Sequence, residues 1–194
     1  MRPHLLLVMV LAACAPAPAA DPAADAPATA FWNRIDALCG QAFPGTVIEA
    51  PPGDTSFAGR ELVMHVRSCT SGEIRIPFHV GADRSRTWVL TTTDEGIRLK
   101  HDHRHPDGSE DEVTQYGGDA RAPFEAGRLE FPADSFTRLL IPAAATNVWT
   151  IEIDPGQRFV YALRREGTDR RFRIEFDLTR PVPAPPAPWG SPAP

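Results

Sequence analysis

The chain has 194 residues, of which 20 are Lys or Arg and 25 are Asp or Glu, so its formal net charge is −5. Proteins that bind nucleic acids present a concentrated basic surface, and the excess of acidic residues argues against that class. The length accommodates one ordinary domain with a flanking segment at each end.

The first 13 residues predict a cleaved export signal. Arg2 precedes a run of apolar residues from Leu5 to Ala13. A transmembrane helix needs about 20 apolar residues, so this run is too short to cross a bilayer and is typical of a signal peptide. We therefore expect the protein to be exported from the cytoplasm.

Residues 11–14, Leu-Ala-Ala-Cys, resemble the lipobox of bacterial lipoproteins. The resemblance implies cleavage before Cys14 and acylation of Cys14, whose lipid chains would hold the protein on a membrane. Ala15 follows, where signals for inner-membrane retention usually carry Asp, so the resemblance favours the outer membrane, with the domain facing the periplasm. The alternative is ordinary cleavage within the Ala-Pro run that follows, which would leave a soluble periplasmic protein.

Two segments rich in Ala and Pro flank the predicted domain. Residues 14–30 carry too little apolar side-chain area to pack and predict an extended tether. Residues 181–194 form a Pro-rich tail, which we interpret as a linker or strap, with docking into an SH3-like groove as an alternative. The domain is then expected over residues 31–180.

Beyond Cys14, the chain contains one further pair of cysteines, Cys39 and Cys69. An even pair in an oxidising compartment predicts a disulfide, which would close a loop of about 30 residues and stabilise the fold by about 3 kcal/mol. Two separate buried thiols are the alternative.

The domain begins with a helical pattern and continues with short strands. Phe31, Ile35, Leu38 and Ala42 recur at helical spacing, and the pattern stops at Pro44-Gly45. A second helix is predicted over residues 133–140, with Asp134 or Ser135 as N-cap and Pro142 beyond its end. Alternation of apolar and polar residues, with turn residues between the runs, predicts ten strands at 47–50, 61–67, 73–80, 87–93, 97–105, 112–116, 128–131, 148–154, 158–164 and 171–178.

Strands joined by tight turns pair with their neighbours, so we expect an all-β domain built as an antiparallel barrel or sandwich. The lead-in with Trp32 running into Leu38-Cys39-Gly40, then Gly45 and about ten strands, resembles the calycin barrels, which include the lipocalins. The resemblance implies an up-and-down barrel of about 8–10 strands, with a short N-terminal helix, one crossing helix and a ligand bound inside. The run from Arg86 to Gly118 also resembles a family of uncharacterised exported bacterial lipoproteins, which implies no particular activity.

One strand carries the main functional candidate. In residues 97–105, alternation places His101, His103 and His105 on the face shared by Ile97 and Leu99. A turn at residues 94–96 that pairs Trp88 with His101 would put Trp88 on the same face, whereas a one-residue slip would put Val89 there. We prefer the first register because it buries more apolar surface. Trp88, His101 and His103 are then expected to line a cavity that binds a small organic ligand.

Two other functions remain open at this point. Imidazoles two residues apart on a strand can bind one zinc or other transition-metal ion, and His65 or His79 could supply the third ligand of a metal-binding protein or metal-dependent enzyme. Alternatively, the histidines are hydrogen-bonded interior residues, His105 is exposed at a turn, and the barrel is a packed scaffold for protein contacts. The sequence contains no Gly-x-Ser-x-Gly elbow and does not establish catalysis.

Arginines flank the last predicted hairpin, at residues 164–165 and 170–173. They either lie on a solvated strand face or meet lipid headgroups or a partner.

Overall fold

The computed structural model describes residues 26–191. The predicted export signal, Cys14 and most of the predicted tether lie outside the described residues. No helix between residues 26 and 191 has the length and apolar character needed to span a membrane.

The described chain is all-β and antiparallel, as predicted, with two α-helices. The helices are α1 (Pro27–Asp36) and α2 (Ser135–Leu140), and a single 3-10 turn follows at Pro142–Ala144. The strands are β1 (Ala42–Glu49), β2 (Leu62–His65), β3 (Ser68–Cys69), β4 (Glu73–Val80), β5 (Asp83–Thr93), β6 (Gly96–His103), β7 (Tyr116–Asp119), β8 (Arg121–Glu125), β9 (Arg128–Pro132), β10 (Asn147–Asp154), β11 (Arg158–Arg165) and β12 (Arg171–Asp177).

Eleven strands of the described chain form one nearly closed barrel, in the order β7-β6-β5-β4-β2-β1-β12-β11-β10-β9-β8, and β3 pairs with the side of β4. Strands adjacent in sequence are thus adjacent in space. The pairing of β1 with β12 joins the half of the sheet made of β1–β7 to the half made of β8–β12. This is the predicted up-and-down topology, with more strands than the 8–10 expected.

Within the described chain, the barrel is not closed by strand pairing between β7 and the end of β9, and we call this place the seam. Helix α2 lies there instead of a strand. Asp134 N donates to Gly117 O at 2.9 Å. Thr137 Oγ1 accepts from Gly117 N at 2.7 Å and donates to Gly117 O at 2.9 Å. The backbone N–H and carbonyl of Gly117 in β7 are therefore satisfied without another strand. The position of α2 is set by its predicted N-cap, because the Asp134 carboxylate accepts from Thr137 N at 2.8 Å.

Large side chains fill the barrel interior. Rings from strands that are not neighbours meet there: Trp88 on β5 stacks on Tyr161 of β11 with ring centroids 4.3 Å apart, and Phe78 of β4 meets Phe176 of β12 at 5.9 Å. Helix α1 buries Phe31 and Ile35 in the same core and plugs one end of the barrel. The interior is a packed core rather than a hollow pocket.

Several elements of the structure differ from the prediction. Helix α1 ends at Asp36, and Pro44-Gly45 lies within β1 instead of ending a helix; Pro44 precedes the part of β1 that pairs with β12, which begins at Gly45. Residues 112–115 are not a strand, and β7 instead runs through Gly117 and Gly118, beyond the strand predicted at 112–116. Strand β8, which contains Pro123, was not predicted.

The predicted disulfide between Cys39 and Cys69 is present. It ties the segment after α1 to β3, which pairs with β4.

The C-terminal segment, residues 181–191, lies across the outer face of the sheet as a strap. Val182 N donates to Ala42 O at 2.8 Å, and Trp189 N donates to Arg84 O at 3.1 Å. The guanidinium of Arg84 donates to Ala187 O at 3.0 Å. The described part of the predicted tail is therefore packed on the domain.

Candidate functional site

The end of the barrel opposite α1 opens into a cavity of about 320 Å³, which we call the mouth. Its lining comes from the ends of β10, β11 and β12, from the start of β7, and from the loops that follow β1, β6 and α2. The lining residues are Asp54, Ser56, Phe57, Val113, Tyr116, Ile141, Ala144, Asn147, Trp149, Tyr161, Leu163, Arg165, Arg170 and Phe172.

Aromatic rings form the floor and one wall of the mouth. Tyr116 and Trp149 lie with ring centroids 5.7 Å apart, next to Tyr161. Phe57, from the loop between β1 and β2, packs edge-on against Phe172 at 5.0 Å and forms the wall. Flat apolar surfaces around a cavity of this size are typical of sites that bind small organic molecules.

A buried polar network lies directly beneath this floor. His101 Nδ1 lies 3.0 Å from the carbonyl oxygen of Tyr116, and His101 Nε2 lies 2.8 Å from the Tyr161 hydroxyl. Since a carbonyl only accepts, Nδ1 carries the proton and donates, and Nε2 of the neutral ring accepts from Tyr161. The Tyr116 hydroxyl makes a further hydrogen bond of 3.1 Å with Nε2 of His103.

Burial keeps this network uncharged at neutral pH. It lowers the pKa of His101 to about 3. Burial also lowers the pKa of His103, with the positive charge of Arg86 acting in the same direction. The pKa of Tyr116 rises to about 12 and that of Tyr161 rises well above its ordinary value, again because burial disfavours the charged form. The floor of the mouth therefore presents polar but neutral groups.

The rim of the mouth carries charge. Arg165 donates through Nε to Asn147 Oδ1 at 3.0 Å, and Arg170 lies 3.7 Å from the Asp54 carboxylate. Hydrogen bonds from Ser56 lower the pKa of Asp54, which keeps this carboxylate ionised.

The residues predicted to line a ligand cavity lie one layer deeper than the mouth. Trp88 pairs with His101 across β5 and β6, which is the preferred register, and both side chains face the interior. Trp88, His101 and His103 support Tyr161 and Tyr116 from below but do not themselves line the mouth. His105 is exposed beyond the end of β6.

The predicted metal ligands are not brought together. His101 and His103 face the interior, whereas His65 and His79 lie on the outer face, because their strand neighbours Met64 and Phe78 occupy the core. Within residues 26–191, no group of three or more His, Cys, Asp or Glu side chains is placed to hold one ion. The alternation of strand residues thus keeps His65 and His79 away from His101 and His103, so neither supplies the predicted third ligand.

Sequence reasoning missed the aromatic residues of the mouth. Trp149 and Tyr161 lie in predicted strands on the inward face, so alternation alone could have identified them. Phe57 gave no such signal, because it lies in a loop of residues 50–61 whose fold over the barrel end depends on tertiary packing.

Two larger hollows, of about 580 and 590 Å³, flank the strap on the outer face. His65 lines one and His79 the other, and prolines of the strap form part of both walls. Among the described residues, Nε2 of His79 is the buried side-chain atom that lacks a hydrogen-bond partner. These hollows lie between the strap and the sheet and do not open into the barrel.

Comparison with protein-family models, curated proteins and solved structures gave no match. The geometry of the mouth and the sequence of the N-terminal segment are therefore the basis for assigning a function.

Proposed function

We propose that this protein binds a small, largely apolar ligand at the mouth of its barrel. The observation that carries the proposal is the aromatic lining of an open cavity of about 320 Å³, with Trp149 and Tyr161 at its floor and Phe57 as its wall. Packed barrel interiors normally end in polar loops, whereas here the aromatic side chains of Phe57, Tyr116 and Tyr161 stay partly exposed at one end. The ligand sits above the His101 network rather than among the histidines.

The neutral dye N-phenylnaphthylamine, whose fluorescence rises in apolar surroundings, tests this proposal. The wild-type protein should bind the dye saturably with one site. Phe57→Ala removes the wall, and the loss of apolar contact should weaken binding about tenfold. Ile48→Ala is the matched control, because Ile48 is exposed on the outer surface and does not line the mouth.

A second candidate function is a packed scaffold for protein contacts, which the filled interior favours. The same titration separates the two. Absence of saturable dye binding, or equal binding by wild type and Phe57→Ala, would overturn the ligand-binding proposal and favour the scaffold. Native mass spectrometry of the purified protein adds a direct check, since a ligand retained from the cell would appear as additional mass.

We also propose that the protein is exported and held at the outer membrane, facing the periplasm, through an acylated Cys14. The support is the apolar run of residues 5–13 followed by Leu-Ala-Ala-Cys. Cys14→Ala should move the protein from the membrane fraction to the soluble fraction of the envelope. Unchanged fractionation would overturn the anchor, whereas Cys39→Ala should leave membrane association intact.

A further inference from the structure

We infer that the mouth selects ligands that combine a flat apolar body with an acidic group such as a carboxylate. This inference rests on the proposed function and adds the chemical class of the ligand. It depends on the charges of the rim, which the dye experiment with a neutral molecule does not test.

The rim carries more positive than negative charge. Of the described residues that line the mouth, Arg165 and Arg170 are cationic and Asp54 is the one carboxylate. Asp54 lies 3.7 Å from Arg170 and also accepts a hydrogen bond of 2.9 Å from Ser56 N. Asp54 is thus a single negative charge, already paired with Arg170 and hydrogen-bonded to Ser56, against two positive charges. One positive charge of the rim therefore has no carboxylate among the described lining residues to balance it.

Arg165 supplies that charge. Its Nε donates to the neutral side chain of Asn147, and within the described part of the chain no carboxylate oxygen lies within 4.0 Å of its guanidinium. The neighbouring arginine, Arg164, differs in this respect, because it pairs with Glu130 and Glu166 on the outer face. Arg165 therefore has guanidinium donors that can meet a planar acid in a fork geometry.

The floor of the mouth, as the described residues form it, carries no negative charge that would repel an acidic ligand. His101 is neutral, and the hydroxyls of Tyr116 and Tyr161 stay protonated, for the reasons of burial given above. An acid placed at the rim would therefore meet cations beside it and uncharged groups below it. The geometry orients such a ligand with its ring against Phe57 and Tyr161 and its acidic group toward Arg165 and Arg170.

Two dyes with the same ring scaffold test the inference. Anilinonaphthalene sulfonate carries one negative charge, and N-phenylnaphthylamine carries none. The wild-type protein should bind the sulfonate at least about tenfold more tightly than the neutral dye, because hydrogen bonds between charged groups are the stronger class. The double variant Arg165→Gln/Arg170→Gln should lose that preference and keep its affinity for the neutral dye within about twofold.

Arg158→Gln/Arg171→Gln is the matched control for the change of net charge, since neither residue lines the mouth. It should retain the preference for the sulfonate. If the wild type binds the neutral dye and shows no preference for the sulfonate, or if the rim variant weakens both dyes equally, the inference is overturned and the proposed function stands. If the wild type binds neither dye, the proposed function fails and the inference fails with it.

Discussion

The hydroxyl of Tyr161 on β11 lies 2.8 Å from Nε2 of His101 on β6, so a hydrogen bond joins opposite walls of the barrel. The ring of His101 is also stacked on Tyr116, with centroids 4.5 Å apart. A buried imidazole needs partners for both nitrogens, and this arrangement provides them. His101, a polar residue in the barrel interior, thus stabilises the fold through its hydrogen bond with Tyr161.

Tyr161→Phe should therefore destabilise the protein. The substitution keeps the ring that stacks on Trp88 but leaves Nε2 of His101 buried without a donor. An unpaired buried acceptor costs about 1–3 kcal/mol, and the free energy of unfolding should fall by that amount in urea denaturation.

A double-mutant cycle checks the cause. His101→Leu removes the polar partner, so Tyr161→Phe introduced into that background should cost much less than in the wild type. Equal costs in the two backgrounds would show that the hydrogen bond is not the source of the loss.

Mild acid should destabilise the protein through its buried histidines. The pKa of His101 is lowered to about 3 and that of His79 to about 4, in both cases mainly by burial. An unfolded histidine has a pKa of about 6.5, so the unfolded state binds more protons below that pH, and the free energy of unfolding decreases as the pH falls toward the folded values. Each of these histidines should account for up to about 2 kcal/mol between pH 7 and about 5.

Urea midpoints measured across this pH range test the prediction. Carboxylates with lowered pKa values, such as Glu130 at about 2, lose their contribution only in stronger acid, so the histidines dominate the range above about pH 5. His79→Leu should flatten the dependence, since a leucine cannot bind the proton in either state. A variant with the wild-type slope would contradict the assignment to His79.

The alternation of apolar and polar residues was sufficient to predict an antiparallel all-β domain, and the resemblance to calycins favoured a barrel over a sandwich. In β6, Leu99 and His101 face inward and Lys100 and Asp102 outward, as their positions require. The pairing of Trp88 with His101 was also predictable, because it buries both residues and Leu90 with them. These features depend on the two-residue alternation of side chains along a strand and on the burial of apolar residues, and both can be inferred from the sequence.

The errors arose where contacts distant in sequence decide the local structure. Gly117 and Gly118 have turn composition, yet they form a strand because a side chain at Gly117 would overlap the backbone of Leu99 and one at Gly118 the backbone of Pro132. The mouth was not predictable for a similar reason. Which end of a barrel stays open depends on the packing of α1 and on the path of the loop that carries Phe57.

The strap should be part of the cooperative fold. Removal of residues 181–194 eliminates three hydrogen bonds to the barrel and exposes the outer-face side chains of Val63, His65 and His79. At about 1 kcal/mol for each bond, the truncated protein should be less stable by at least about 3 kcal/mol. Thermal unfolding followed by circular dichroism measures the change.

Arg84→Ala tests the contribution of one of the three hydrogen bonds between the strap and the barrel. It removes the bond to the carbonyl of Ala187 and leaves the two backbone bonds in place. A loss of about 1 kcal/mol is expected. If truncation had no effect on the midpoint, the strap would be attached to the domain without stabilising it.

Gly118→Ala should prevent the barrel from closing at its seam. A Cβ at this position would overlap the carbonyl oxygen of Pro132, which is backbone and cannot rotate away. Separation of β7 from the end of β9 would also break the contacts of Thr137 with Gly117. We expect a loss of about 3 kcal/mol or more in the free energy of unfolding, at the upper end of the cost of overpacking.

Gly72→Ala is the matched control, since a Cβ there would contact only the side chain of Thr92, at 3.8 Å, and Gly72 does not have a positive φ. Its free energy of unfolding should stay within about 0.5 kcal/mol of wild type. Amide hydrogen exchange locates the effect, because only the Gly118 variant should lose protection in β7 and β9 before the rest of the barrel. Equal stability of the two variants would mean that the seam is not closed in solution. The barrel would then be an open sheet whose mouth is wider than the cavity described above.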